Sequence, residues 1–226
     1  MHDSSRTPAV AGLAVAGLAF AGYPLLRPYG PEAGPGFAAD LASPLWLTSH
    51  VLGMVGFTAL ALALRALVTS GTPWRWAGRP IREVETRMWL ALALLLPYYG
   101  AEAYGLSAVG RHALEGDTDV LAVAESFRYA PFEVTTFTVG LLLLVLVGGR
   151  LVHGTWAAGG TTRLGGLLAG LALATYLPQF FTTPEVRMGH GIVLGLGLIT
   201  LAWSVARPHE PREATADTSA SIWEPV

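Results

Sequence analysis

Long apolar segments alternate along the chain with short polar ones, and the apolar segments predict six membrane-spanning helices. A helix needs about 20 apolar residues to cross a hydrocarbon core of roughly 30 Å. Six segments approach this length, and they are apolar on nearly every side of a helix, as lipid-embedded helices are. The predicted spans are residues 9–26, 45–68, 88–106, 132–152, 164–181 and 189–206.

The arginines between these segments predict how the helices are oriented. The chain contains no lysine, so all 14 basic residues are arginine. Positively charged residues remain on the cytoplasmic side of a membrane. The loops that contain more arginines are therefore expected in the cytoplasm, together with both termini. That set is Arg6, Arg65, Arg75, Arg79, Arg82, Arg87, Arg150, Arg163, Arg207 and Arg212. The opposite set is Arg27, Arg111, Arg128 and Arg187.

The two ends of the chain differ in character. Residues 1–207 form the predicted transmembrane domain, whereas residues 208–226 are polar, contain proline and form a predicted disordered cytoplasmic tail. The first span has an alternative interpretation, because Arg6, an apolar run and Ala19-Phe20-Ala21 are also typical of a cleaved signal peptide. Cleavage would place the new N-terminus outside and leave the other five spans as they are.

Composition narrows the class of protein. The charged fraction is 13% and the hydrophobic fraction 52%, whereas soluble domains contain roughly 25% charged residues, so we expect a multi-pass α-helical membrane protein with the lipid bilayer as its partner. A net charge of −2 argues against a nucleic-acid partner, and the absence of cysteine excludes disulfides and thiolate sites. Lysine and asparagine, which have AT-rich codons, are absent, so we infer a bacterial cytoplasmic membrane.

Polar residues inside the predicted spans converge on one depth. An ionisable residue within a span costs about 2.5–3.5 kcal/mol on insertion scales, so it needs a reason to be there. At a helical rise of 1.5 Å per residue, His50, Glu102, Gln179 and His190 lie about 8–9 Å from the outer boundary, and Glu133 lies about 3 Å from it. We therefore expect a polar layer near the outer face.

This layer has the chemistry of a ligand site. Two imidazoles and a carboxylate, here His50, Glu102 and His190, are a common ligand set for a divalent metal ion. The two histidines could instead be the axial ligands of haem b. Glu102 is also the candidate catalytic general acid or base.

Further residues are candidates for contact with a substrate. Gln179 shares the depth of the layer, and Tyr99 belongs to the string Tyr98-Tyr99-Gly100-Ala101-Glu102, whose tyrosines can donate to a buried carboxylate. Arg187 and Arg128 lie at the outer mouth, where they could pair with Glu185, with Glu133 or with an anionic substrate group.

Three hypotheses about function remain open at this stage. The first is a cavity in the outer leaflet that binds a metal ion, haem or a small lipid-soluble substrate, as a membrane-embedded enzyme or redox protein. The second is a small-solute or ion transporter that acts as a homo-oligomer. The third is an accessory or scaffold subunit in which the polar residues only order the helices.

Overall fold

The computed structural model describes residues 6–31, 33–70, 75–76 and 79–207, so the predicted tail at 208–226 lies outside the described residues. The predicted all-α fold is confirmed, apart from a two-residue antiparallel pairing of β1 (Arg75–Trp76) with β2 (Arg79–Pro80). The α-helices are α1 (Thr7–Leu26), α2 (Gly34–Ala42), α3 (Pro44–Thr69), α4 (Arg82–Gly100), α5 (Leu106–Leu114), α6 (Leu121–Tyr129), α7 (Pro131–Trp156), α8 (Gly160–Ala174) and α9 (Pro184–Ala206).

Irregular helical turns interrupt two of the predicted spans. A π-helical turn at Ala101–Gly105 separates α4 from α5, so predicted span 88–106 covers parts of three elements. The helix α8 ends at Ala174, and a 3₁₀ turn at Pro178–Phe181 takes up the rest of predicted span 164–181. These two segments therefore differ from the uninterrupted helices that the apolar pattern predicts.

Among the described residues, four helices are long and apolar enough to cross a membrane: α1, α3, α7 and α9. This finding indicates a membrane protein, whereas the predicted number of six spans is not confirmed. The prolines Pro44, Pro131 and Pro184 lie in the first turns of α3, α7 and α9, where a missing N–H removes no helical hydrogen bond.

Six helices pack side by side and close a ring. The helix α1 packs against α3 and α9, and the ring continues through α3 with α4, α4 with α7, α7 with α8, and α8 with α9. Leu60, Leu95, Leu144 and Leu198 are fully buried between them, whereas many other apolar side chains face outwards. The outward set includes Leu18, Leu62, Leu142, Leu171 and Leu196.

Glycines bring α8 close to both of its neighbours. A Cβ atom added at Gly170 would lie 2.6 Å from the carbonyl oxygen of Gly148 in α7. A Cβ atom added at Gly165 would lie 3.0 Å from the carbonyl oxygen of Gly197 in α9. Because membrane helices associate through small residues, these contacts hold the short α8 within the ring.

Three short helices cover one end of the ring. We call α2, α5 and α6 the cap, and the end of the ring on which they lie the cap end. The helix α2 packs on α5, and α6 contacts both α5 and α7. The cap has a small apolar core of its own, formed by Phe37, Leu41, Trp46, Leu106 and Ala124.

Two adjacent glycines of α7 provide a test of the glycine contacts. Gly148 is buried against Gly170, whereas Gly149 is exposed and a Cβ atom added there has no neighbour within 4 Å. We expect Gly148→Ala to lower the free energy of unfolding by about 1–3 kcal/mol, because its methyl group overlaps backbone. Gly149→Ala should be neutral or stabilising by up to about 1 kcal/mol. Unfolding of both variants in detergent measures the difference, and equal stabilities would contradict the close α7–α8 contact.

Candidate functional site

A cavity of about 480 Å³ lies at the cap end of the ring. This volume falls in the range of small-molecule sites. One part of its wall is apolar or aromatic and is formed by Tyr98, Tyr99, Val134, Phe137, Leu177, Phe180 and Phe181. The other part is polar and is formed by Tyr23, Arg27, His50, Glu102, Arg128, Tyr129, Thr138 and Arg187.

Glu102 is held at the cavity by the irregular backbone around it. It lies in the π-helical turn that follows α4, and only 5% of its surface is exposed. The indole Nε1 of Trp46 donates a hydrogen bond of 2.7 Å to the Glu102 carbonyl oxygen. Since π turns free backbone groups from the regular helical pattern, this bond gives the carbonyl a partner and fixes the turn against α3.

A buried salt bridge joins Glu102 to the cap. Arg128, at the end of α6, places Nε 2.8 Å from Oε1 of Glu102 and an Nη 3.5 Å from Oε2. The Arg128 side chain is 15% exposed. Burial by itself lowers the pKa of Arg128. The adjacent Glu102 carboxylate raises this pKa by more than burial lowers it, so the net shift is upwards and the guanidinium stays charged.

His50 faces the same carboxylate from α3. Its Nδ1 lies 2.7 Å from the carbonyl oxygen of Trp46, which can only accept, so Nδ1 carries a hydrogen. Its Nε2 lies 3.6 Å from Oε2 of Glu102. A neutral Nε2 of this tautomer and an ionised carboxylate both lack a hydrogen to donate, so the two groups attract each other only when one of them holds a proton.

Two further arginines line the cavity. The guanidinium carbon of Arg27 lies 5.2 Å from the ring centre of Tyr29 and 5.1 Å from that of Trp46. Its Nε is buried and has no hydrogen-bond partner. Arg187 donates from Nε to the Thr182 carbonyl oxygen at 3.1 Å, and from an Nη to the carbonyl oxygen of Phe180.

The structure brings together some of the predicted site residues. Glu102 and His50 of the predicted layer, together with Tyr99 and Arg187, line one cavity. The Tyr99 hydroxyl also lies 3.3 Å from that of Tyr176, which ties α4 to the segment after α8.

Three other predicted residues lie elsewhere. Gln179 and His190 line a separate, much smaller cavity of about 10 Å³, and Nε2 of His190 lies 2.8 Å from the carbonyl oxygen of Ala172. Glu133 is half-buried in the first turn of α7 and does not line the main cavity. Neither Gln179 nor Glu133 lines the main cavity, and their contact with a substrate stays a prediction.

The predicted metal ligands do not meet. Within residues 6–31, 33–70 and 79–207, no three His, Asp or Glu side chains are placed to hold a metal ion, although His50 and Glu102 are neighbours. His50 and His190 line different cavities, on two helices that both pack against α1. Haem ligation by these two histidines stays a prediction. A shared depth does not determine which way a side chain points around its helix.

Arg27 and Arg128 also line the cavity, whereas the sequence-based assignment placed Arg128 only at the outer mouth and gave Arg27 no role. A signal for both was present, because four arginines lie on the arginine-poor side of the predicted topology. Three of these four, namely Arg27, Arg128 and Arg187, line the cavity. An arginine that departs from the positive-inside distribution is therefore informative in this chain.

Known proteins offer no guide to this arrangement. Comparisons of the chain with protein-family models, with curated proteins and with solved structures find no match. The function must therefore be argued from the cavity itself.

The buried salt bridge gives a prediction about stability. We expect Arg128→Leu to lower the free energy of unfolding by about 3–5 kcal/mol, because Glu102 is then buried without its cation. The double variant Glu102→Leu/Arg128→Leu should lower the free energy of unfolding by much less than the sum of the losses in the two single variants. A double-mutant cycle of unfolding in detergent measures this difference.

A surface pair provides the control for this cycle. Arg87 and Glu83 lie 3.4 Å apart with side chains 26% and 36% exposed. Arg87→Leu should lower the free energy of unfolding by at most about 1 kcal/mol, because water already screens this pair. If Arg128→Leu lowers the free energy of unfolding by no more than Arg87→Leu does, the buried bridge does not have the stabilising role given to it here.

Proposed function

We propose that this chain is a multi-pass membrane protein whose cap-end cavity binds a small lipid-soluble ligand. The observation that carries the proposal is the cavity's division into an aromatic and aliphatic wall and a charged wall, at a volume of about 480 Å³. Pockets of this size and mostly apolar lining, with a few polar groups, are typical of small-molecule sites. Such a pocket suits a molecule with a long apolar part and one polar group.

The rim of the cavity supports entry from the lipid. Phe181 is 82% exposed, and Tyr129 and Val134 are also exposed beside the cavity. These side chains belong to the end of α6, to α7 and to the 3₁₀ turn at Pro178–Phe181. A lipid-soluble molecule in the bilayer would meet apolar surface continuously from the rim to the inner wall.

The closed ring supports a topology of six spans. The helix α4 with its π turn, and α8 with its 3₁₀ turn, each pack between helices that are long enough to cross a membrane. Six antiparallel passes place both termini on one side, and the arginine distribution places that side in the cytoplasm. We propose on this basis that the cap faces outwards from a bacterial cytoplasmic membrane.

Proton transfer to or from the bound ligand is a second candidate function. The observation that favours it is the 3.6 Å approach of His50 Nε2 to Glu102 Oε2 at the cavity wall. This pair can hold one proton between them, and Glu102 would act as the general acid or base. Transport is less favoured, because Leu60, Leu95 and Leu144, which are fully buried in the described ring, are apolar.

Two valines of α7 provide a test of ligand binding. Val134 lines the cavity and is 39% exposed, whereas Val139 is 43% exposed and does not line it. We expect Val134→Trp to weaken binding at least tenfold because the indole occupies the cavity, and Val139→Trp to leave binding unchanged. The measurement is equilibrium binding of tritiated palmitate and tritiated hexadecanol to protein purified in a neutral detergent. If the wild-type protein binds neither probe, the proposed function is wrong.

The proposed orientation has a separate test. The chain has no native cysteine, so a single introduced cysteine reports its own accessibility. Thr118→Cys, in the turn between α5 and α6, should react with a membrane-impermeant maleimide in intact cells. Gly78→Cys, which lies outside the described residues, should react only after the membrane is permeabilised. The reverse pattern would overturn the orientation.

A further inference from the structure

The cavity has more positive than negative charge. Three arginines line it, and the one carboxylate among its described lining residues, Glu102, is already paired with Arg128. In the described part of the chain, Arg27 and Arg187 have no carboxylate oxygen within 4 Å. Two guanidinium charges therefore face the cavity without a counter-charge from the described residues.

Both guanidinium groups lie near one ring. The guanidinium carbons of Arg27 and Arg187 lie 5.2 Å and 6.0 Å from the centre of the Tyr29 ring, and both residues line the cavity. Like charges at one partly buried cavity disfavour each other, and an anion bound in the cavity would reduce that cost. The two arginines therefore favour a ligand with a negatively charged group.

Hydrogen-bonding groups remain for such an anion. Arg187 is held in place by its bonds to two backbone carbonyl oxygens, and these bonds use Nε and one Nη. The Nε of Arg27 is buried and has no hydrogen-bond partner among the described residues, so this guanidinium is not fully satisfied by the protein itself. Guanidinium groups donate in a planar fork that matches carboxylate and phosphate oxygens, and a group already held in position loses little freedom on binding.

The apolar wall determines the rest of the ligand. Phe137 and Phe180, whose ring centres lie 5.9 Å apart, line the same cavity as the arginines and the exposed Phe181. A small soluble anion would contact the arginines and leave this wall without a partner. An apolar chain attached to the anion would cover it.

We infer that the ligand is an amphipathic anion, with a carboxylate or phosphate head group at Arg27 and Arg187 and a single apolar chain along the aromatic wall. This inference rests on the proposed binding of a lipid-soluble ligand and specifies its chemical class. The same head-group chemistry is available from a membrane lipid or from free phosphate, so the test includes both sources.

The test compares three probes at pH 8: palmitate, hexadecanol of the same chain length, and inorganic phosphate. Equilibrium binding to the full-length protein in a neutral detergent should be at least tenfold tighter for palmitate than for hexadecanol. Arg27→Gln and Arg187→Gln should each weaken palmitate binding about tenfold and leave hexadecanol binding within twofold. Inorganic phosphate should bind far more weakly than palmitate.

Arg163→Gln is the matched control variant. Arg163 donates from Nε to a backbone carbonyl oxygen, that of Trp156, at 2.8 Å, and its guanidinium carbon lies 5.0 Å from the Trp156 ring centre. It thus shares the bonding pattern of Arg187 but lies outside the cavity. This variant should bind palmitate like the wild type, and hexadecanol binding by every variant confirms that its cavity is folded.

The possible outcomes separate the inference from the function on which it rests. Equal binding of palmitate and hexadecanol would overturn the inference of an anionic head group. The same conclusion would follow if Arg163→Gln lost as much palmitate binding as Arg27→Gln and Arg187→Gln. In both cases the proposal of a lipid-soluble ligand would stand. Phosphate binding as tight as that of palmitate would overturn the apolar chain. Failure to bind both palmitate and hexadecanol would overturn the proposed function together with the inference.

Discussion

The structure of the cap end depends on the burial of one carboxylate. Glu102 lies at the end of an apolar ring, where an ionised group without a partner is strongly disfavoured. Arg128 supplies the opposite charge, and it can do so only if α6 lies over the end of the ring. The Trp46 indole donates a hydrogen bond to the backbone carbonyl oxygen of Glu102. Cap, ring and cavity are thus joined at Glu102.

The cavity exists because two helices lose their regular form at the same level. The π turn at Ala101–Gly105 and the 3₁₀ turn at Pro178–Phe181 both contribute residues to its wall. Irregular backbone within a membrane is tolerated where it is buried in protein or lines a cavity. Pro97, four residues before the π turn begins, and Pro178 each lack an N–H, which favours a break in the helix near these points.

Counting along the helices predicted part of this site. His50 and Glu102 share a depth, and the structure places them 3.6 Å apart because α3 and α4 are neighbours in the ring. His190 shares that depth as well, yet it faces Ala172 from α9. Residue counting gives the position along a helix axis, whereas the order of helices around the ring decides which side chains meet.

The sequence by itself determined the helical class and the apolar segments, since these depend on local composition and hydrophobic pattern. Tertiary structure alone decided that Arg27, Arg128 and Arg187 line one cavity, although they are separated by many residues in the chain. It also decided that His50 faces Glu102 while His190 does not. The reason is that a local pattern contains no information on which helices become neighbours, and only packing supplies it.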